Sequence, residues 1–121
     1  MSVFKILSQF CTEKGGWLAE IFSPDEQSSI NGALHRDLSY WIGLTDSANE
    51  GHFVWQHSSK PLDWPNWNKG EPNNSSNEDC VFLAYYSAPT WEWNDYQCDN
   101  NQWNDAAHPR MDIHALCEYW Y

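Results

Sequence analysis

From Glu71 to Pro109 the chain contains no Lys and no Arg, yet the same stretch carries Glu71, Glu78, Asp79, Glu92, Asp95, Asp99 and Asp105. Such a block repels itself unless its carboxylates are solvated or gathered around a cation. Disorder is excluded by the aromatic content of 17%, with nine Trp, which a disordered chain does not carry. The imbalance extends to the whole chain: 6 Lys and Arg against 17 Asp and Glu, a formal net charge of −11. That charge repels nucleic-acid backbones and anionic membrane surfaces, so nucleic acid is excluded as a partner. No apolar run reaches the roughly 18 residues of a membrane span, so membrane insertion is excluded too. The N-terminus does not read as a signal peptide, because Lys5 interrupts a short apolar run with no small-residue cleavage site after it.

The 121 residues are enough for one domain with one core. Residues 3–14 are expected to be helical, with Phe4, Leu7, Phe10 and Cys11 on one buried stripe and Gly15-Gly16 as the stop. Residues 17–21 read as a short strand or an extended packed segment. Ser23-Pro24-Asp25-Glu26 is a capping box that opens a second helix, expected to run to Leu34. Strands are expected at 40–44, 53–55, 80–86 and 115–119. The segment 56–79 is punctuated by Pro61, Pro65, Gly70 and Pro72 and reads as a long irregular loop, pinned by Trp64 and Trp67. Trp17, Trp41 and Trp55 are expected in the core, and the five histidines at the surface. Early helices, later strands and long polar loops make an α+β fold with small antiparallel sheets.

Four cysteines, Cys11, Cys80, Cys98 and Cys117, lack zinc-site spacing. An even count in a small aromatic domain implies two disulfides and an oxidising, extracellular compartment; three connectivities remain open.

The loop Glu71-Pro72-Asn73-Asn74-Ser75-Ser76-Asn77-Glu78-Asp79 offers carboxylates and amides in quick succession, and Trp93-Asn94-Asp95 adds one of each. Hard cations such as Ca²⁺ take six to eight oxygen ligands of these kinds. Chemistry alone leaves a calcium site and a solvated Asn-rich loop both open. No nucleophile-elbow glycine pattern accompanies the Ser, His and Asp residues, so no enzyme is expected.

Taken in order, Phe4-x-x-Leu7-x-x-x-Cys11, Gly15-Gly16-x-Leu18-Ala19-x-Ile21, Trp41-Ile42-Gly43-Leu44, Glu71-Pro72-Asn73, Glu78-Asp79-Cys80-Val81, Trp93-Asn94-Asp95-x-x-Cys98 and Leu116-Cys117-Glu118 resemble a C-type lectin-like domain along the whole chain. The resemblance implies one carbohydrate-recognition domain over 1–121, lacking the family's first strand. It implies the disulfides Cys11–Cys117 and Cys80–Cys98. It implies a primary Ca²⁺ site of Glu71, Asn73, Glu78, Asn94 and Asp95, with Pro72 after a cis peptide. An auxiliary Ca²⁺ site would use Asp46, Glu50, Asn74, Glu78 and Asp79, where Asn74 replaces a common Asp. The resemblance further implies a secreted lectin of glycans or glycoproteins, with weak single sites combined by oligomerisation. Glu71, Asn73, Glu78 and Asn94 would hold a sugar, and Glu-Pro-Asn goes with mannose-type, equatorial 3,4-hydroxyls. Trp91 is the candidate aromatic for stacking on the sugar, which would admit galactose-type glycans. The alternative is a related domain that binds a protein, mineral or ice surface. Asn73 and Asn74 both begin glycosylation sequons, and Asn73 is expected to be unmodified. A second Trp103-Asn104-Asp105 lies in the 18 residues between Cys98 and Cys117, with no cysteine at the matching distance.

Overall fold

A computed structural model of the chain describes residues 3–35, 37–72, 79–87, 90–99, 102–103 and 111–119. Its elements are α1 (Val3–Glu13), β1 (Gly16–Leu18), α2 (Pro24–Asn31), β2 (Ser39–Thr45), β3 (Val54–Trp55), β4 (Cys80–Ser87), β5 (Thr90–Tyr96), β6 (Gln102–Trp103), β7 (Met111–Ala115) and β8 (Cys117–Tyr119). Two sheets result. β1 pairs with β8, and a six-stranded sheet runs β5-β4-β2-β7-β6 with β3 beside β2.

The apolar runs in β2 and β4 are buried on both faces, which is why they do not alternate with polar residues. Trp41, Phe82 and Ala84 face α1, in a cluster with Phe4, Cys11, Leu18 and Ile113. Their neighbours Ile42, Leu44, Val81 and Leu83 face the other way, against Ile21, Trp55, Trp91 and Trp93. Gly43 lies between the layers and donates its N–H to the Ala19 carbonyl at 2.8 Å. A Cβ there would stand 2.8 Å from the Leu18 carbonyl oxygen, so this crossing admits only glycine.

The two disulfides join Cys11 to Cys117 and Cys80 to Cys98, with Cα separations of 5.4 and 5.2 Å. This is the pairing the family resemblance implies. The first closes α1 against β8. The second fixes the end of β5, where the Phe4 N–H also donates to the Cys98 carbonyl at 3.0 Å.

Several local expectations change in the folded chain. Phe10 is 48% exposed and leaves the buried stripe, as Phe4, Leu7 and Cys11 fill the contact with the sheet. Trp17 is only half-buried and stacks on the exposed His57 ring at 3.9 Å and 4°. The second helix stops at Asn31, where Ala33 and Leu34 donate to the carbonyls three residues back and tighten the turn. Its capping box is also modified. Ser23 Oγ accepts from the Glu26 N–H at 3.2 Å, but Glu26 Oε2 accepts from Phe22 rather than from Ser23. The closing strand is two strands, β7 and β8, divided at Leu116. There the chain leaves the large sheet, Leu116 donating to the Trp41 carbonyl and accepting from the Ala19 N–H.

Candidate functional site

The long loop is held by one ring. Trp93 on β5 is fully buried, and Trp55, Trp64 and Trp67 meet it edge-on at 5.6, 5.8 and 5.7 Å. Trp64 and Trp67 therefore pin the loop as expected. Backbone bonds complete the attachment. Trp93 N–H donates to the Asn66 carbonyl at 2.9 Å, and Asn68 N–H donates to the Trp93 carbonyl at 2.8 Å. Glu71 N–H then returns to the Asn68 carbonyl at 2.9 Å, which delivers the Glu71–Pro72 peptide, in the cis form, beside β5.

The α2 helix supplies the other anchor. Gln27 is 4% exposed, and its Oε1 accepts from Trp93 Nε1 at 2.9 Å and from Asn66 Nδ2 at 3.2 Å. Its Nε2 donates to Asn31 Oδ1 at 2.8 Å. Sequence reasoning missed Gln27, because a lone Gln on a short helix carries no pattern that separates it from a surface residue.

On the other side of the loop cluster, Asp46, Glu50 and Asp79 come together, each offering a carboxylate oxygen within 4.8 Å of the others. Asp46 follows β2 directly, and Asp79 precedes β4. Pairing of these strands brings them side by side, with Asp46 N–H and Thr45 Oγ1 both donating to the Asp79 carbonyl at 3.1 and 2.7 Å. Gly51, at φ 85°, turns its N–H onto Asp46 Oδ2 at 2.9 Å. That conformation is strained for other residues. Asp46 Oδ1 and Asp79 Oδ1 are buried with no hydrogen-bond partner among the described residues.

Burial is the main reason that the Asp79 pKa is pushed up to about 6, and the adjoining Glu50 and Asp46 carboxylates raise it further through shared protons and repulsion. Buried carboxylate oxygens without a donor, crowded by like charge, form a donor set that a hard divalent cation satisfies. The residues present fit calcium on that ground.

A cleft of about 570 Å³ runs between this triad and the pinned loop; Asp46, Glu50, Phe53, Trp67, Pro72 and Asp95 are among the residues that line it. Asp95 is fully buried. Asn94 is half-buried and lies on the opposite side of the strand, because β5 alternates its faces. Of the expected primary set, Asp95 lines the cleft, Glu71 directly precedes the lining Pro72, and Asn94 sits next to Asp95 on the other face of β5, while Asn73 and Glu78 lie outside the described residues. Of the auxiliary set, Asp46, Glu50 and Asp79 are brought together, and Asn74 and Glu78 lie outside. The sequons at 73 and 74 and the second motif's Asn104 and Asp105 lie outside as well.

A family model for the lectin C-type domain matches residues 2–103. The chain belongs to the C-type lectin domain family. A perlucin-like protein of Mytilus galloprovincialis is 36% identical over 96 residues, covering 76% of this chain and 60% of that protein. Salivary C-type lectin 2 of Aedes albopictus is 34% identical over 104 residues, covering 78% of this chain and 69% of that protein. Thus the domain spans about three-fifths of the first of these relatives. Among solved structures, the carbohydrate-recognition domain of the mouse scavenger receptor C-type lectin superposes with a TM-score of 0.72 at 38% identity, over 82% of this chain and 74% of its own. The domain of murine dendritic cell inhibitory receptor 2, solved in complex with N-glycan, gives 0.72 at 30% identity, over 82% and 76%. A calcium-independent type II antifreeze protein gives 0.69 at 26% identity, over 80% and 71%. C-type lectin domains are binding folds and not enzymes.

One candidate of this C-type lectin domain is displaced. Trp91 is 6% exposed and packs between Tyr40 and Tyr85, at 6.3 and 5.5 Å, near the start of β5. Asp95 lies four residues along the same strand. The closeness of Trp91 in sequence to Asn94 is spent along the strand, at about 3.3 Å per residue.

Proposed function

We propose that this C-type lectin domain binds glycans through calcium, with preference for mannose-type sugars that carry equatorial 3- and 4-hydroxyls. The observation that carries the reading is the Asp46–Glu50–Asp79 triad with its buried, unpartnered oxygens. When bound, calcium supplies open coordination positions for a vicinal pair of hydroxyls. Around that pair, Glu71 and Glu78 accept hydrogen bonds from the hydroxyls, and Asn73 and Asn94 donate to them through their amide N–H groups. Asp95 completes the primary set, and Asn74 and Glu78 complete the auxiliary one. The Glu71-Pro72-Asn73 order supports the mannose-type preference, since the family pairs it with that hydroxyl geometry. The glycan complex of the murine relative supports the ligand class. Residues 1–121 act as one recognition domain, secreted, with oligomers providing avidity for glycoproteins.

The test is retention on immobilised mannose and galactose with calcium and with a chelator. Mannose-selective retention that disappears on chelation is expected. Retention unaffected by chelation overturns the calcium mechanism. Glu71→Gln with Asn73→Asp is expected to move preference toward galactose.

The second reading is a C-type lectin domain that binds a protein, mineral or ice surface. The likeness to the calcium-independent antifreeze protein favours it. Calcium binding without any glycan bound on a broad array would select it.

A further inference from the structure

Away from the loops, a second groove of about 580 Å³ opens between α2 and the 116–118 segment. It shares no lining residue with the cleft beside the acidic triad. Its floor is apolar, formed by the half-buried Ile30, Leu34 and Leu116. Its rim is acidic, with Asp25 and Glu26 on the helix side and Glu118 on the strand side. No Lys, Arg or His nitrogen among the described residues pairs with any of these carboxylates, as the ion pair found there is His35–Asp37. Two of the three are held in place by the backbone. Glu118 Oε1 accepts from the Glu20 N–H at 3.0 Å, and Glu26 Oε2 accepts from the Phe22 N–H at 3.3 Å. The Glu20 carboxylate, at the base of the wall, is 5% exposed and accepts from the His57 and Ser58 N–H groups at 2.7 and 3.2 Å.

An apolar floor rimmed by pre-positioned carboxylates suits a side chain with an aliphatic stem and a cationic head. The stem covers the floor while the head pairs at the rim. A freely solvated acidic face needs neither the floor nor the backbone anchoring. We propose that this groove docks a basic segment of a partner protein, with Arg or Lys heads on Asp25, Glu26 and Glu118 and an apolar side chain on the Ile30–Leu34–Leu116 floor. Because the two clefts are separate, a glycan at the calcium loops and this partner are held at the same time.

The experiment titrates the isotope-labelled chain, in saturating calcium, with a short peptide of alternating Arg, Leu and Gly. Two controls replace each Leu by Ser, or each Arg by Glu. Calcium keeps the cationic peptide off the acidic triad. Saturable amide shifts confined to residues 19–34 and 116–118 are expected, with neither control bound. Asp25→Asn with Glu26→Gln, both at exposed positions, should weaken binding about fivefold. Ala33→Arg, which places the chain's own cation over the groove from an exposed site, should abolish it. Mannose retention should be unchanged in all these variants. Shifts centred on the calcium loops, equal binding of the Leu-to-Ser control, or no saturable binding of the Arg–Leu peptide would each overturn the proposal.

Discussion

Trp93 Nε1 donates to Gln27 Oε1 at 2.9 Å, joining a core strand to α2 across 66 positions of sequence. The same oxygen accepts from Asn66 Nδ2, so one amide ties helix, strand and long loop together. Gln27→Leu should leave the buried indole N–H unpaired and cost about 1–3 kcal/mol. Asn66 suffers less, because its Nδ2 also donates to the Trp91 carbonyl at 2.9 Å. Chemical denaturation checks the loss. A cycle with Trp93→Phe, which removes the donor, should show that the Gln27→Leu penalty shrinks in that background.

Calcium should raise the thermal midpoint, because ions that bind only the folded loops shift the equilibrium by mass action, about 2.7 kcal/mol at a concentration 100 times Kd. Glu50→Gln should shrink that shift while stabilising the metal-free chain, since it removes one of three mutually repelling carboxylates. An unchanged calcium response in Glu50→Gln would remove the triad from the binding site. Calorimetry with and without chelator measures both quantities.

The pH dependence of the metal-free domain follows from Asp79. Its folded pKa of about 6 lies above the ordinary 3.8, so in this window the folded state holds more protons than the unfolded one. Stability should therefore fall as pH rises from about 4 through about 6, and recover on acidification over the same interval. Calcium binding has the opposite sign, weakening below pH 6 as the proton competes for the same oxygens. Asp79→Asn should flatten the metal-free dependence. Denaturant midpoints across pH 4–7, with chelator, compare the two chains.

The two disulfides should differ in weight. Chain entropy assigns about 4–5 kcal/mol to the Cys11–Cys117 bridge, with 106 residues of separation, and about 3 kcal/mol to Cys80–Cys98, with 18. Paired Cys→Ala variants, followed by denaturation, test the order. Equal losses would mean that the loops retain structure when unfolded.

Much of the fold was legible as ordered local signals. The Ser23 cap, the doubly buried apolar runs of β2 and β4, and Trp64 and Trp67 as loop pins all appear where local chemistry placed them. The misreadings share a cause. Phe10 fits the helical stripe, but whether a ring is covered depends on what packs opposite, and this ring stays half exposed with the Lys14 ammonium over it. Trp91 is near Asn94 in sequence, but its ring is buried between two tyrosines. Gln27 and Glu20 are buried by partners 39 and 66 residues away in one case and 37 and 38 in the other, so no local pattern marks them.

Motif order and residue type were therefore enough to establish the family, the cysteine pairing it carries, and the carboxylates available for a hard cation. These rest on chemistry that each residue brings with it. Which carboxylates share one cluster, that the Trp91 ring is buried, and that a second acidic groove lies behind α2 were set by strand pairing and helix packing. Those are non-local contacts, and they decide burial and electrostatic environment, which a residue's identity leaves open.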